Sequence, residues 1–131
     1  MTGLPMAITM GDASGVGPEI ALRRHEAHGL GHSVVYGDAA VLRRGAELLG
    51  LATEVRTIDS PDQWVPNVLC VRDLGLLSAG DLTPGVLNGA AGAAAREYVL
   101  AATRDAIAGT VAAVVTLPMN KEATQLTDPG F

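Results

Sequence analysis

Apolar residues along this chain cluster into five short runs, each with a length typical of β-strands. Between several of these runs, apolar residues recur three or four positions apart, the spacing of a helix with one buried face. Glycine and proline fall mainly at the junctions, where turns are expected. The five predicted strands are Met6–Met10, Ser33–Tyr36, Thr53–Ile58, Asn67–Arg72 and Val111–Thr116.

Three helices are predicted between the strands. The first spans residues 18 to about 27, because proline is favoured at the first helical position. The second follows Asp38 as its N-cap and ends at Gly50. The third is capped by Asn88 and covers residues 89 to about 108.

Two segments carry more apolar residues than one buried face requires. Leu100 and Ile107 lie outside the apolar face of the third helix, so we expect them to contact another element or another subunit. The last strand, Val111–Thr116, is apolar almost throughout. Such a run is typical of a strand that is covered on both faces.

The alternation of strands and helices predicts the α/β class, with an open, mostly parallel sheet and helices on both faces. In sheets of this kind, ligands bind beyond the carboxyl ends of the strands. Two loops that follow strands are therefore the candidate binding segments. They are Gly11–Gly17 and Leu117–Lys121.

The first loop joins a strand to the start of a helix, where backbone N–H groups and partial positive charge point into a small space. Its glycines follow the spacing G-x3-G-x-G, which matches neither the dinucleotide fingerprint nor the phosphate loop. The carboxylate of Asp12 is suited to orient a substrate hydroxyl, an amide or a water molecule. The alternative is a tight turn that needs only the conformational freedom of glycine.

The second loop carries Asn120 and Lys121, which offer an amide and a positive charge, and Thr116 puts a hydroxyl at the end of the strand before it. Lys121 is suited to hold an anion. The alternative is an ordinary solvated lysine in the first turn of a helix. If the strands are parallel, the turn of Asp12 and the turn of Lys121 meet at one rim and form half of a cleft.

Composition narrows the classes of function. The chain has 131 residues, 48% hydrophobic residues and a net charge of −5, which predicts one globular domain and argues against nucleic acid as a partner. No apolar run is long enough to span a bilayer, and no secretory signal is apparent, so no membrane association is expected. The single Cys70 fits a reducing cytoplasm, where we expect a buried, inert thiol.

The three histidines, His25, His28 and His32, follow the spacing H-x2-H-x3-H. The first two share a helical face, so a metal site is one interpretation. The segment is polar and its later part is predicted to be a loop. Solvated histidines are therefore the interpretation that we prefer, and no metal ligand is assigned.

Two motifs resemble one known family. The segment A-I-T-M-G-D-A-S-G-V-G-P-E-I, which begins at Ala7, resembles the opening of the 4-hydroxythreonine-4-phosphate dehydrogenase (PdxA) family of vitamin B6 biosynthesis. The segment V-V-T-L-P-M-N-K-E-A, which begins at Val114, resembles the second N-terminal signature of that family. V-V-Y-G-D and the Ala-rich helix lie between them in the family's order. The family usually has proline and alanine where Ala13 and Ser14 stand.

The resemblance implies an isocitrate/isopropylmalate-dehydrogenase-like fold and a homodimer whose active site lies between two α/β domains. It implies oxidation and decarboxylation of 4-phosphohydroxy-L-threonine, a small phosphorylated hydroxy amino acid, by NAD or NADP with a divalent metal such as Zn, Mg or Co. It makes Asp12 and Lys121 the catalytic candidates. It implies cofactor contacts at Gly11, Asp12, Gly15, Gly17 and Glu19, and substrate contacts at Thr116, Pro118, Asn120 and Lys121.

Members of the family are more than twice as long as this chain. We therefore interpret residues 1–131 as the N-terminal part of a truncated two-domain dehydrogenase that lacks the metal-binding histidines and is inactive alone. One alternative is a paralogous dehydrogenase of another four-carbon acid phosphate or a diol. Another is a non-catalytic α/β module that binds a partner or an anion.

Overall fold

The structure is a computed structural model that describes residues 3–131. The three predicted helices are present, and short 3-10 turns occupy Pro61–Gln63 and Ala79–Asp81. The strands are β1 (Met6–Thr9), β2 (Ser33–Gly37), β3 (Val55–Ile58), β4 (Leu69–Asp73) and β5 (Val114–Thr116). The helices are α1 (Gly17–His28), α2 (Ala39–Leu49), α3 (Gly89–Ala108) and α4 (Lys121–Gln125).

The five strands form one sheet in the order β3-β4-β2-β1-β5. Every neighbouring pair is parallel, and Thr9 of β1 stands beside Tyr36 of β2 on one side and Thr116 of β5 on the other. The predicted open, parallel α/β sheet is confirmed.

The connections around β1 leave the carboxyl edge of the sheet towards opposite faces. Helix α1 leads from β1 to β2 on one side, whereas α3 leads from β4 back across the sheet to β5 on the other. Because crossovers between parallel strands are right-handed, α1 and α3 lie on opposite faces. Helix α4 packs against α3, so the segments that follow β1 and β5 diverge. Such a switch point is where open α/β sheets bind ligands.

The core is built from β2 and the small residues of α3. Every residue of β2 is buried, and α3 presents a buried stripe of alanines with Tyr98 among them. Alanine side chains allow the helix axis to approach the sheet closely. The stripe consists of Ala91, Ala94, Ala95, Tyr98 and Ala102.

The prediction for the last strand was wrong in two respects. Strand β5 contains only Val114–Thr116, and it is an edge strand that pairs with β1 alone in the described part of the chain. Val115 is 41% exposed, and Ala112 and Ala113 are exposed, so the run is not covered on both faces. An apolar run records hydrophobicity but not the number of neighbouring strands, which depends on topology.

The two apolar outliers of α3 differ in their surroundings. Leu100 is half-buried, whereas Ile107 is 83% exposed, so the expected contact of Ile107 with another element is not made within residues 3–131. Contact of Ile107 with another subunit stays a prediction. Over the same residues, no helix combines the length and the apolarity required to cross a bilayer.

Candidate functional site

The loops that follow β1 and β5 interlock at the carboxyl edge of the sheet. The backbone N–H of Asp12 donates to the carbonyl oxygen of Pro118 at 3.1 Å, and the N–H of Leu117 donates to the carbonyl oxygen of Thr9 at 3.2 Å. The turn of Asp12 and the turn of Lys121 therefore meet at one rim, as the sequence predicts. We call these two loops, Gly11–Gly17 and Leu117–Lys121, the rim.

Two glycines of the rim are explained by close packing of the main chain. A Cβ atom at Gly11 would collide with the carbonyl oxygen of Pro118, and one at Gly17 would collide with the carbonyl oxygen of Met10. Gly11 also has a φ of +77°, a conformation that L-residues with side chains rarely adopt. These two glycines are required by the fold itself, independently of any ligand.

Gly15 is different from the other two glycines. It is exposed, and a Cβ atom there would lie in ordinary contact, 3.5 Å from the carbonyl oxygen of Asp12. It lies beside the first turn of α1, whose N-cap residue Val16 makes no side-chain capping hydrogen bond. Gly15 has no side chain, and the start of α1 has no side-chain cap. Backbone N–H groups at this helix start are therefore open to the oxygen atoms of a ligand.

Asp12 is buried at the rim with only one of its carboxylate oxygens hydrogen-bonded. The side chain is 2% exposed, and its Oδ1 atom accepts from the N–H of Ser14 at 2.7 Å. Its Oδ2 atom and the Oγ1 atom of Thr9 are the buried side-chain polar atoms that have no hydrogen-bond partner within residues 3–131. Buried polar atoms are nearly always paired in native proteins, so the unpartnered Oδ2 of Asp12 makes this residue a candidate for contact with a ligand or a water molecule.

The residues of the second rim loop face solvent. Thr116, Pro118, Asn120 and Lys121 lie at least partly exposed, and Lys121 is the first residue of α4. The side-chain oxygen of Asn120 caps this helix by accepting from the N–H of Ala123 at 3.1 Å. The amide oxygen of Asn120 is thus engaged in the fold, whereas the ammonium group of Lys121 is available to an anion at the rim.

Glu19 stands apart from the other candidate residues. Its carboxylate forms an ion pair with Arg23 at 2.7 Å along the outer side of α1, where both side chains are about half exposed. The pairing follows from the four-residue spacing on a helix. Glu19 is therefore held on the helix surface, while the other predicted cofactor contacts lie in the loop.

A buried network below the rim was missed by the sequence analysis. Asp38 was interpreted as the N-cap of α2, and it occupies that position, but its side chain makes no capping bond. Instead, its Oδ1 atom accepts from the N–H groups of Leu76 and Leu77 at 2.7 and 3.0 Å, and its Oδ2 atom accepts from the hydroxyl of Tyr98. Asp38 therefore anchors both α3 and the connection after β4.

The electrostatics of this network keep the phenol of Tyr98 protonated. Burial raises the pKa of Tyr98 far above its usual range, and the hydrogen bond to Asp38 raises it further, as do the charges of Asp38, Asp73 and Asp12. Tyr98 therefore donates a hydrogen bond under all ordinary conditions. The only sequence signal for this network was the pair Gly37-Asp38 after a buried strand, which local patterns assign to a cap.

Groups of three or more ligating side chains are the usual protein sites for a divalent metal. Within residues 3–131, no three histidine, cysteine, aspartate or glutamate side chains are arranged to hold a metal ion.

Comparison with known proteins identifies the family. The model of the family described as pyridoxal phosphate biosynthetic protein PdxA matches residues 30–131. The chain belongs to the PdxA family. The match includes the second rim loop, whereas the Asp12 loop lies before the matched residues and is covered by the pairwise comparisons.

Relatives within the PdxA family carry two kinds of name. The D-threonate 4-phosphate dehydrogenase of Pectobacterium atrosepticum is 39% identical over 90% of this chain, and the 4-hydroxythreonine-4-phosphate dehydrogenase of Beijerinckia indica is 35% identical over 91%. The chain spans only 38% and 36% of the length of these two proteins. The family thus includes enzymes that are named dehydrogenases, and this chain corresponds to a little over a third of each.

A solved member of the PdxA family shares the fold. The crystal structure of 4-hydroxythreonine-4-phosphate dehydrogenase from Klebsiella pneumoniae superimposes with a TM-score of 0.89 at 36% identity. The superposition covers 98% of this chain and 41% of that protein. Nearly all of the present fold is therefore contained in one part of the longer enzyme.

Proposed function

We propose that this chain forms one wall of the active-site cleft of a dehydrogenase that oxidises a phosphorylated four-carbon hydroxy acid. The observation that carries the proposal is the meeting of the two rim loops at the switch point of the sheet, with the unpartnered Oδ2 atom of Asp12 buried beside it. The preferred substrate is 4-phosphohydroxy-L-threonine, as the name of the Beijerinckia relative suggests.

Each rim loop has a separate role in this proposal. The Asp12 carboxylate accepts a hydrogen bond from a hydroxyl or amide group of the substrate, since its buried Oδ2 atom has no partner within residues 3–131. The exposed ammonium group of Lys121 attracts the anionic substrate. Pro118 and Asn120 on the same loop, with Thr116 at the end of β5, form the surrounding surface.

The cofactor of this proposal is NAD or NADP, which supplies the hydride acceptor when it is bound. Gly15 and the uncapped start of α1 fit a ligand that brings oxygen atoms close to the backbone. Gly11 and Gly17 hold that loop in shape, and Asp12 is the buried carboxylate within it. Glu19 belongs to the proposed cofactor site because it lies in the same helix turn. Its ion pair with Arg23 holds it at the outer surface.

The isolated chain is expected to be inactive. It covers a little over a third of the length of its relatives, and within residues 3–131 no three ligating side chains are arranged to hold a metal ion. In the complete enzyme, which we expect to be a cytoplasmic homodimer, the remaining sequence closes the cleft and supplies the metal site.

The test uses a longer protein that joins this sequence to the remaining family sequence. With NAD or NADP, a divalent metal and 4-phosphohydroxy-L-threonine, we expect reduced cofactor to form. Its absorbance measures the reaction. Lys121→Ala is expected to raise KM more than it lowers kcat, because the ammonium group acts in binding. Absence of reduced cofactor from a folded protein would reject this substrate assignment.

A second candidate substrate is D-threonate 4-phosphate. The Pectobacterium relative that carries this name is 39% identical to the chain, compared with 35% for the Beijerinckia relative. The two molecules share a four-carbon skeleton with a phosphate at one end and a carboxylate at the other, so the rim as described fits both. A comparison of kcat/KM for the two substrates with the same longer protein distinguishes the candidates.

A further inference from the structure

A second concave surface lies at the opposite edge of the sheet from the rim. A cavity of about 490 Å³ opens between the end of α1 and the segment that precedes β4. Its wall includes Ser33 and Leu69, the first residues of β2 and β4, so it belongs to the amino edge of the sheet. We call it the histidine cavity, because His25, His28 and His32 all line it.

The histidine cavity brings together all the imidazole and thiol groups of the chain. The sequence contains three histidines and one cysteine, and all four line this one cavity. Imidazole and thiolate are the groups that Zn²⁺, Ni²⁺ and Cu²⁺ prefer in proteins. The sequence spacing alone did not reveal this arrangement, because His32 follows a turn and Cys70 lies on a different strand.

Two of the four groups are already engaged within the fold. The Sγ atom of Cys70 is buried and exchanges weak hydrogen bonds with the backbone N–H and carbonyl oxygen of Val65. The ring of His32 packs edge to face against Trp64, with the ring centroids 4.5 Å apart. Neither group is free to turn towards an ion without breaking these contacts.

His25 and His28 remain accessible on the last turn of α1. They are three residues apart, so their side chains are neighbours on one side of the helix. His28 is exposed and His25 is half-buried. The carboxyl end of a helix carries partial negative charge, which favours a cation at this position. Gly29, with a φ of +73°, ends the helix directly after His28 and leaves the cavity open.

We propose that His25 and His28 bind one divalent transition-metal ion in the histidine cavity, with water completing the coordination. Within residues 3–131 no third histidine, cysteine, aspartate or glutamate joins these two in a metal-binding cluster, so the proposed site has two protein ligands and depends on water for the rest. The lone pair of each neutral imidazole forms the bond to the metal. A hard cation such as Mg²⁺ prefers oxygen ligands and is not expected to bind here.

The experiment is a titration of the tag-free 131-residue chain with Zn²⁺ and, separately, with Ni²⁺, followed by calorimetry. We expect one ion per chain. His25→Gln and His28→Gln are each expected to weaken the affinity by about tenfold or more, the scale of losing a group that a metal site depends on. These residues lie at the surface, so the variants are expected to keep the circular dichroism spectrum of the parent chain.

His32→Gln is the matched control, because it removes an imidazole from the same cavity without removing a proposed ligand. It is expected to leave the affinity for Zn²⁺ and Ni²⁺ unchanged. Three results would each overturn the proposal. They are an equal loss of metal affinity with His32→Gln, an unchanged affinity with His25→Gln or His28→Gln, and binding of Mg²⁺ as strong as that of Zn²⁺ or Ni²⁺. The titration needs no substrate or cofactor, so its outcome is independent of the dehydrogenase proposal.

Discussion

The two edges of the same sheet are built in opposite ways. At the carboxyl edge, the rim loops hydrogen-bond to each other through their main chains, and a buried carboxylate, Asp12, lies between them. At the amino edge, imidazole groups surround an open cavity, and the turn at Gly29 and Gly31 has free space around it. The backbone at the carboxyl edge is therefore fixed by packing, whereas the turn at the amino edge has room for larger side chains.

This difference follows from the connections at each edge. The loops after β1 and β5 must diverge to opposite faces of the sheet within a few residues, so their backbones come into contact where they separate. The turn between α1 and β2 joins consecutive elements, and its glycines have no other backbone packed against them. A binding site at the carboxyl edge gains a rigid framework, which is what the positioning of substrate requires.

The largest expected difference between the two edges comes from adding one methyl group, by a glycine-to-alanine substitution, at each of them. Gly17→Ala places a Cβ atom against the carbonyl oxygen of Met10, which cannot move without shifting β1, and is expected to destabilise the chain by about 3 kcal/mol. Gly31→Ala has open space and a φ of +65°, so only the backbone conformation costs energy, about 1 kcal/mol. Urea denaturation measures both, and equal losses would contradict the contrast between the edges.

The next effect tests the network below the rim. Tyr98→Phe leaves the Oδ2 atom of the buried Asp38 without its donor and is expected to cost about 2 kcal/mol in the free energy of unfolding. Tyr36→Phe removes a similar bond to Asp105, a residue that is only half-buried, so water replaces the lost donor and the cost is about 1 kcal/mol. A larger loss for Tyr36→Phe would indicate that α3 is held mainly at its other end.

Alkaline pH is expected to lower the free energy of unfolding through the same two tyrosines. Burial raises the pKa of Tyr98 and of Tyr36 above the value of about 10 in the unfolded chain. The unfolded state therefore loses protons first as the pH rises, and the stability that these groups provide is complete below about pH 10 and declines above it. Urea midpoints between about pH 8 and pH 11 measure this decline.

Tyr98→Phe is the control for the pH dependence. Because the phenylalanine of this variant has no phenolic proton to lose, the decline above about pH 10 is expected to be smaller than in the parent chain. An identical decline in both proteins would assign the alkaline loss of stability to groups other than Tyr98, such as Tyr36.

The sequence predicted the sheet well because its signals are local. Apolar runs, Pro18 and the capping residue Asn88 act within a few positions, and the structure has the corresponding strands and helices where expected. The meeting of the two rim loops was also predictable, since parallel strands place their carboxyl ends at one edge.

The remaining features depend on contacts between distant residues. Asp38 was assigned to a local cap because aspartate is common there, yet its partners lie 38 to 60 positions further along the chain. The edge position of β5 and the exposure of Ile107 likewise depend on which elements lie beside them. A single sequence contains no pattern that reports such neighbours.

The smallest expected effect on stability separates binding from folding at the rim. Asp12→Asn keeps an oxygen to accept from the N–H of Ser14 while removing a buried charge that lies near other carboxylates. A buried charge without a partner is costly, so the free energy of unfolding is expected to stay the same or rise by up to about 1 kcal/mol. In the longer protein, kcat/KM is expected to fall, because an amide N–H₂ donor then replaces the Oδ2 acceptor.

Ser14→Ala is the matched control for Asp12→Asn. Ser14 contributes its backbone N–H to Asp12, and its hydroxyl lies 2.9 Å from that of Thr83, so the substitution removes a side-chain contact at the rim without altering the carboxylate. It is expected to leave kcat/KM close to that of the parent. If Asp12→Asn instead destabilised the chain while leaving catalysis intact, the unpartnered oxygen would serve folding. The carboxyl edge would then be no better supported as a binding site than the amino edge.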